Sequence, residues 1–246
     1  MNNLNPIEEF KRDCDNEIVS MSLDDKLKEL SINWMASTAK HKYTYHFTWM
    51  GRPIIQYPQD LLALQEIIWQ IKPEVIIETG IAHGGSLIFY ASMLELIAHG
   101  EVIGIDLDIR EHNRVEIEKH VMFKRITMLE GSSTDAEIVQ EVKRLCSDKK
   151  CVMVVLDSNH THSHVLEELK LYSPLVTAGS YLIVMDTGVD DMPEQLYAER
   201  PWGKGNNPKT AVKEFLRTTD RFIIDEKIHS KLLITVAPDG YLKCIE

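Results

Sequence analysis

The chain has no C-x-x-C spacing; apart from one pair, its four cysteines (Cys14, Cys146, Cys151 and Cys244) lie far apart in sequence. That spacing argues against zinc-ribbon and dithiol redox sites and leaves free thiols in a reducing compartment as the expectation. No apolar run approaches the roughly 20 residues that span a bilayer, so no membrane partner is expected. The first residues, MNNLNPIEEFKRDCDNE, are polar and acidic where an export signal is basic and then apolar, and the expected location is the cytoplasm. Basic charge is also short: 27 Lys and Arg face 38 Asp and Glu, a formal net charge of −11. This balance opposes the counterion release that drives nucleic-acid binding, and no Lys/Arg block is long enough to reverse it, so no nucleic-acid partner is expected. Internal repeats and low-complexity segments are absent too, and 246 residues are too few for two full domains of average size.

What is present divides into an N-terminal helical extension with an aromatic arm over residues 1–72 and a main domain over 73–246. In the extension, Leu23, Leu27, Leu30 and Trp34 recur at helical spacing after Ser22, which reads as the cap, with Asp25 as its capping-box partner. Tyr43, Tyr45, Phe47 and Trp49 then alternate with period two, as in a short strand or an extended arm whose aromatics pack. From Glu74 onward, β-rich runs at 74–79, 101–106, 125–130, 152–157 and 181–186 alternate with helical stretches starting near Ser86, Glu111, Thr134 and Ser163. A Gly-, Pro- and Asn-rich loop over 187–208 leads to a helix at 209–219 and to the runs FIID, KLLITVA and YLKCI. The last two are expected to pair as a hairpin across Pro238-Asp239-Gly240. Five β/α units followed by an antiparallel end make an α/β, Rossmann-like fold that fits the class I methyltransferase sheet better than a fully parallel dinucleotide fold.

The five strands end in Glu78, Asp106, Glu130, Asp157 and Asp186, and in an open α/β sheet ligands bind beyond the carboxyl ends of strands. The first strand runs into Glu78-Thr79-Gly80-Ile81-Ala82-His83-Gly84-Gly85-Ser86. Its glycines let backbone approach a ligand at a helix start, and a strand-end carboxylate suits a cationic group such as an amino-acid ammonium. Glu78, Gly80, Gly84 and Ser86 are therefore candidate cofactor contacts. Asp106, 26 residues beyond Gly80 and near the spacing of ribose-binding acids, joins them, with Asp108 as a helper. Ser132, in Gly131-Ser132-Ser133, either faces an adenine or caps the next helix. Asp157 suits a hard cation, and His160 three residues on can take a proton from a hydroxyl near neutral pH. A three-histidine zinc site with His162 and His164 is disfavoured: on a helix His160 and His164 share a face that His162 does not, so the last two read as partly exposed helix histidines.

The run LDSNHTHSHVLEELKLYSPLVTAGSYLIVMDT, with YHFTWMGRPIIQYPQD before it and PWGKGNNPKTAVKEFL after it, resembles the family named for cephalosporin hydroxylase and rhamnosyl O-methyltransferase, relatives of macrolide-sugar O-methyltransferases. The resemblance implies S-adenosylmethionine (SAM) as cofactor, Mg²⁺ or another divalent cation holding a sugar hydroxyl pair, and a homo-oligomer. It makes Asp157 and Asp186 metal ligands and His160 the general base, and it supports Glu78, Gly80 and Asp106 as cofactor contacts. One departure stands out: the family's Glu-Asp at the end of the fifth strand is Met185-Asp186 here, and a thioether is a poor ligand for Mg²⁺. Weak metal binding is therefore expected, with the two aspartates completed by waters and substrate oxygens or by Asp190 or Asp191 swinging in from the following loop. The resulting expectation is a SAM-dependent O-methyltransferase acting on a hydroxyl of a sugar or nucleotide sugar, in surface polysaccharide or natural-product biosynthesis, with Trp202 in a lid. The alternatives are a methyltransferase of a non-sugar diol and a catalytically degenerate SAM-binding accessory protein.

Overall fold

The computed structural model describes residues 5–246; the first four residues of the expected extension lie outside the described residues. Helix α1 (Pro6–Ser22) starts at Asn5, whose side chain accepts from the N–H groups of Ile7 and Glu8 while Glu8 reaches back to the Asn5 N–H. Helix α2 (Asp25–Ala39) starts at Asp24, which accepts from the Leu27 N–H at 3.0 Å. This corrects the cap expected at Ser22: that serine closes α1, donating to the Val19 carbonyl at 2.7 Å. Of the apolar stripe read there, Leu23 and Leu30 are exposed, and Trp34 meets Tyr43 edge to face at 5.1 Å. The aromatic stretch is only half extended. Tyr43–His46 coil into a 3₁₀ turn, and β1 (Phe47–Trp49) pairs antiparallel with β2 (Arg52–Ile54).

Helix α3 (Pro58–Ile71) leads into the main sheet through β3 (Val75–Thr79), α4 (Gly85–Ile97), β4 (Glu101–Asp106), α5 (Glu111–Glu118), β5 (Ile126–Glu130), α6 (Ala136–Leu145), β6 (Val152–Leu156), α7 (His162–Tyr172) and β7 (Tyr181–Val184). The remainder is α8 (Pro208–Phe215), β8 (Phe222–Ile224), α9 (Glu226–Leu232) and β9 (Tyr241–Cys244). The seven strands run in the order β5-β4-β3-β6-β7-β9-β8, with β9 antiparallel to both neighbours and the rest parallel. Strands β3, β6 and β7 are buried at every position, as expected of strands covered on both faces. Alternate side chains feed two cores: Ile76, Met153 and Ile183 on one face, Ile77, Val154 and Leu182 on the other.

The expected KLLITVA strand is not formed. Residues 226–232 are helix α9, and the backbone beyond it is committed elsewhere. Buried Asp60 on α3 accepts from the Thr235 hydroxyl, the Val236 N–H and the Tyr241 hydroxyl, and the Val236 carbonyl accepts from Gly188. The Asp239-Gly240 turn therefore delivers the chain to β9, which pairs with β7 and β8 instead of with KLLITVA. The order places a topological switch between β3 and β6, where neighbouring strands are followed by connections that leave in opposite directions and open a crevice.

Candidate active site

The glycine loop fills one side of that crevice. Gly80 has φ +93°, and a Cβ there would collide with the Asp157 carbonyl, so only glycine lets the loop after β3 lie against the loop after β6. Gly85 is held the same way against the Pro53 carbonyl. Gly84, at φ +79°, is the N-cap of α4. Glu78 is buried (1% exposed) and accepts from the Ser86 hydroxyl at 2.6 Å. Burial pushes its carboxyl up to about 8, against the lowering effect of hydrogen bonds from Ser86 and Tyr90. Gly80, Ser86 and Asp106 line the same pocket as Asp157, whereas Glu78 stands behind Ser86.

Asp106 performs a task that spacing did not suggest. One oxygen accepts from the N–H groups of Ile81 (2.8 Å) and Ala82 (3.2 Å), and the other from the Asp108 N–H (3.2 Å). The carboxylate thus clamps the glycine loop onto β4, and Asp108 contributes its backbone rather than its acid. Ser132 turns inward on its own loop: its hydroxyl lies 3.0 Å from that of Thr134 and accepts from the Thr134 N–H at 3.3 Å. That is a local turn, and Ser132 is not among the residues lining the pocket.

On the other side of the crevice Asp157, His160 and Asp186 come together, each offering a ligand atom within 4.8 Å of the others. His160 Nδ1 is 3.2 Å from Asp186 Oδ2, and Nε2 is 3.8 Å from Asp157 Oδ1. Burial, and then the charge of Asp186, push the Asp157 carboxyl well above the usual range, with Glu78 and Glu168 adding to the effect. Asp186 sits in the left-handed region at φ 55°, one residue past a Met185 that still continues the sheet by donating to the Leu156 carbonyl. That reversal sends the two neighbours apart: the Met185 side chain is 2% exposed within the core, while Asp186 turns into the crevice. The expected substitutes do not arrive. Asp190 is held by the Gly205 N–H and the Asn207 amide, and Asp191 by Lys209 at 2.7 Å.

His160 precedes α7, which starts at His162, so it does not share a helix face with His164 as expected, and the three histidines separate. His162 contacts the Thr210 hydroxyl (2.8 Å) and Glu214 (3.1 Å) on α8. His164 faces Ser133, Ser158 and buried Glu168 behind the site. The long loop is not loose: Asn206 and Asn207 tie it to Pro201, Asp190 and Gly203, and Trp202 stacks on His160 with ring centroids 4.8 Å apart, with the Arg200 guanidinium 5.3 Å from its ring. Residues 52–57, which carried no sequence-derived role, form a strap over the pocket. Arg52 donates to the His83 carbonyl at 2.6 and 3.1 Å, and Gln56 Nε2 lies 3.5 Å from Asp157 Oδ2. The sequence signs of this strap are the Gly-Arg-Pro punctuation after the aromatic stretch and its place in a run that resembles the family, and neither says what the turn covers.

Residues 41–245 match the family described as rhamnosyl O-methyltransferase/CmcI. The chain is similar to a rhamnosyl O-methyltransferase of Mycobacterium tuberculosis, at 31% identity over 202 residues that cover 79% of this chain and 77% of that one. A rhamnosyl O-methyltransferase of Mycobacterium leprae is 31% identical over 148 residues, covering 59% of this chain and 62% of the other. In fold it is similar to a solved structure of CmcI with Mg and SAM, with a TM-score of 0.58 at 18% identity over 82% of this chain and 78% of that chain.

Proposed function

The chain belongs to the rhamnosyl O-methyltransferase/CmcI family of SAM-dependent O-methyltransferases, and from that premise we propose that it methylates a hydroxyl of a sugar or nucleotide sugar with the help of a divalent cation. The observation that carries this reading is the Asp157–His160–Asp186 cluster, which opens beside the glycine-loop pocket. Residues 73–246 form the catalytic domain in this reading, and 1–72 an extension. The exposed Ile7, Phe10 and Val19 on α1 support its covering by further copies in a homo-oligomer. Surface polysaccharide or natural-product assembly is the setting we infer.

The donor set fits a hard cation. Asp157 and Asp186 are two carboxylates close enough to raise the Asp157 carboxyl, and among the described residues no Lys or Arg pairs with either. When bound, such a cation supplies Lewis-acid stabilisation of the acceptor oxygen and orients it. His160 Nδ1 faces Asp186 at 3.2 Å, which favours the proton on Nδ1 and leaves Nε2 as the proton acceptor. Trp202 packs against the imidazole, with the two ring planes tilted by 36°. His160 Nε2 would accept the proton of the acceptor hydroxyl, and SAM, held beside the glycine loop, would supply the methyl group and leave as S-adenosylhomocysteine. Glu78, Gly80, Gly84, Ser86 and Asp106 serve the cofactor, Asp106 through the loop that it clamps.

The test is transfer of a labelled methyl from SAM to a panel of rhamnose-bearing acceptors, nucleotide sugars and catechol-like diols. Labelled sugar is the expected product. Transfer to catechols alone would replace the sugar reading with the non-sugar diol, and SAM binding with no transfer to any of these acceptors would favour an accessory protein.

A further inference from the structure

Met185 removes a carboxylate from the acid cluster, and neither Asp190 nor Asp191 replaces it. A different oxygen is available. Gln56, on the strap, is 5% exposed, and its Oε1 is buried with no hydrogen-bond partner among the described residues. A buried amide oxygen left unpaired has lost its water without gaining a donor, so it calls for a partner. The same amide stands 3.5 Å from Asp157 Oδ2 through Nε2, and both residues line one pocket. Strap position is fixed independently, by Arg52 on the His83 carbonyl and by Gly85 against Pro53, so Gln56 is not an incidental surface side chain.

Resting on the divalent-cation reading above, we propose that the Gln56 side-chain oxygen is a third oxygen ligand of the cation held by Asp157 and Asp186, taking the coordination task that Met185 gives up. The terminal torsion of glutamine is broad and roughly two-fold, so the amide can exchange its ends without leaving a rotamer well. Without a cation, Nε2–H faces the Asp157 carboxylate. With one, Oε1 would turn to the charge, and relief of the crowded carboxylates would offset the loss of the N–H contact to Asp157. Amide oxygen is a hard donor suited to Mg²⁺ or Mn²⁺, but it brings no charge, so the site binds its cation more weakly than a three-carboxylate site.

The experiment is Mn²⁺ binding to the full chain without SAM, read by electron paramagnetic resonance of free Mn²⁺, for the parent, Gln56→Leu and Gln56→Glu. Gln56→Leu is expected to lose roughly tenfold or more in Mn²⁺ affinity, a scale on which even indirect partners of metal ligands count. Gln56→Glu, adding a charge, is expected to bind Mn²⁺ more tightly than the parent, a gain that damage to the fold does not produce. A parent that binds Mn²⁺ and two variants that bind it equally well would overturn the assignment of Gln56 alone. So would an unchanged Mn²⁺ affinity joined to a weaker affinity of Gln56→Leu for S-adenosylhomocysteine, since that outcome gives the oxygen to the cofactor. A parent with no Mn²⁺ affinity would overturn this assignment and the metal reading together.

Discussion

At the ends of β3 and β4 the acids are answered from within the chain, whereas at the ends of β6 and β7 they are not. Asp106 accepts three backbone N–H groups, and Glu78 accepts the Ser86 hydroxyl with a carboxyl pushed up to about 8, so that half is neutral or hydrogen-bonded as folded. Among the described residues Asp157 and Asp186 have only His160 as an ionic partner, and burial beside Asp186 drives the Asp157 carboxyl upward. One half is a finished cradle whose geometry is stored in backbone bonds. The other is electrostatically open, and substitutions in it should change turnover far more than folding or cofactor affinity.

The largest break in this contrast is expected from Asp157→Asn and Asp186→Asn. Each should lower turnover by roughly 10⁴-fold, the several kcal/mol that a cation contributes to a developing oxyanion. Each should also leave the thermal midpoint equal or higher, because carboxylate repulsion is removed. Steady-state kinetics with a melting curve checks both, and a large fall in midpoint would show that the acids hold the fold instead. His160→Gln comes next, lowering turnover by about 10² to 10⁴-fold with S-adenosylhomocysteine affinity near that of the parent. Asp106→Ala should show the reverse pattern, weakening S-adenosylhomocysteine by about 1.5 to 3 kcal/mol in calorimetry through a slackened glycine loop.

The smallest effect belongs to Glu78. Its folded carboxyl is raised from 4.5 to about 8, so between those values the folded state holds a proton that the unfolded state has released. Stability therefore falls as pH rises through that window and levels off above it. From pH 6 to pH 8 the Glu78 contribution should fall by about 2 kcal/mol, and Glu78→Gln should flatten the slope, as read from urea midpoints at the two pH values. An unchanged slope would place the titrating group elsewhere.

The parallel strands were legible because a buried parallel strand is written as an unbroken apolar run ending in a polar residue, as in VMVVLD and YLIVMD. Asp157, His160 and Asp186 were legible for the same reason: they follow strand ends that topology brings to one edge. What the sequence hid was set by long-range hydrogen bonds. KLLITVA has a strand's composition, but Asp60, 175 residues before Thr235, takes its hydroxyl and the next N–H. Ser22 and Asp24 are both good caps, and only the actual end of α1 decides between them. Gln56 lies in a run that carries the family resemblance, but nothing local gives it a role, since its significance comes from Asp157, 101 residues away.

The claim that the acid half is completed by a cation is tested most directly by assaying methyl transfer from labelled SAM to a sugar acceptor after exhaustive chelation and again after adding back Mg²⁺ or Mn²⁺. The account predicts loss of activity on chelation and its return with either ion, with S-adenosylhomocysteine affinity unchanged throughout. Full activity in a chelated enzyme shown free of metal by elemental analysis would contradict it and leave His160 to act alone.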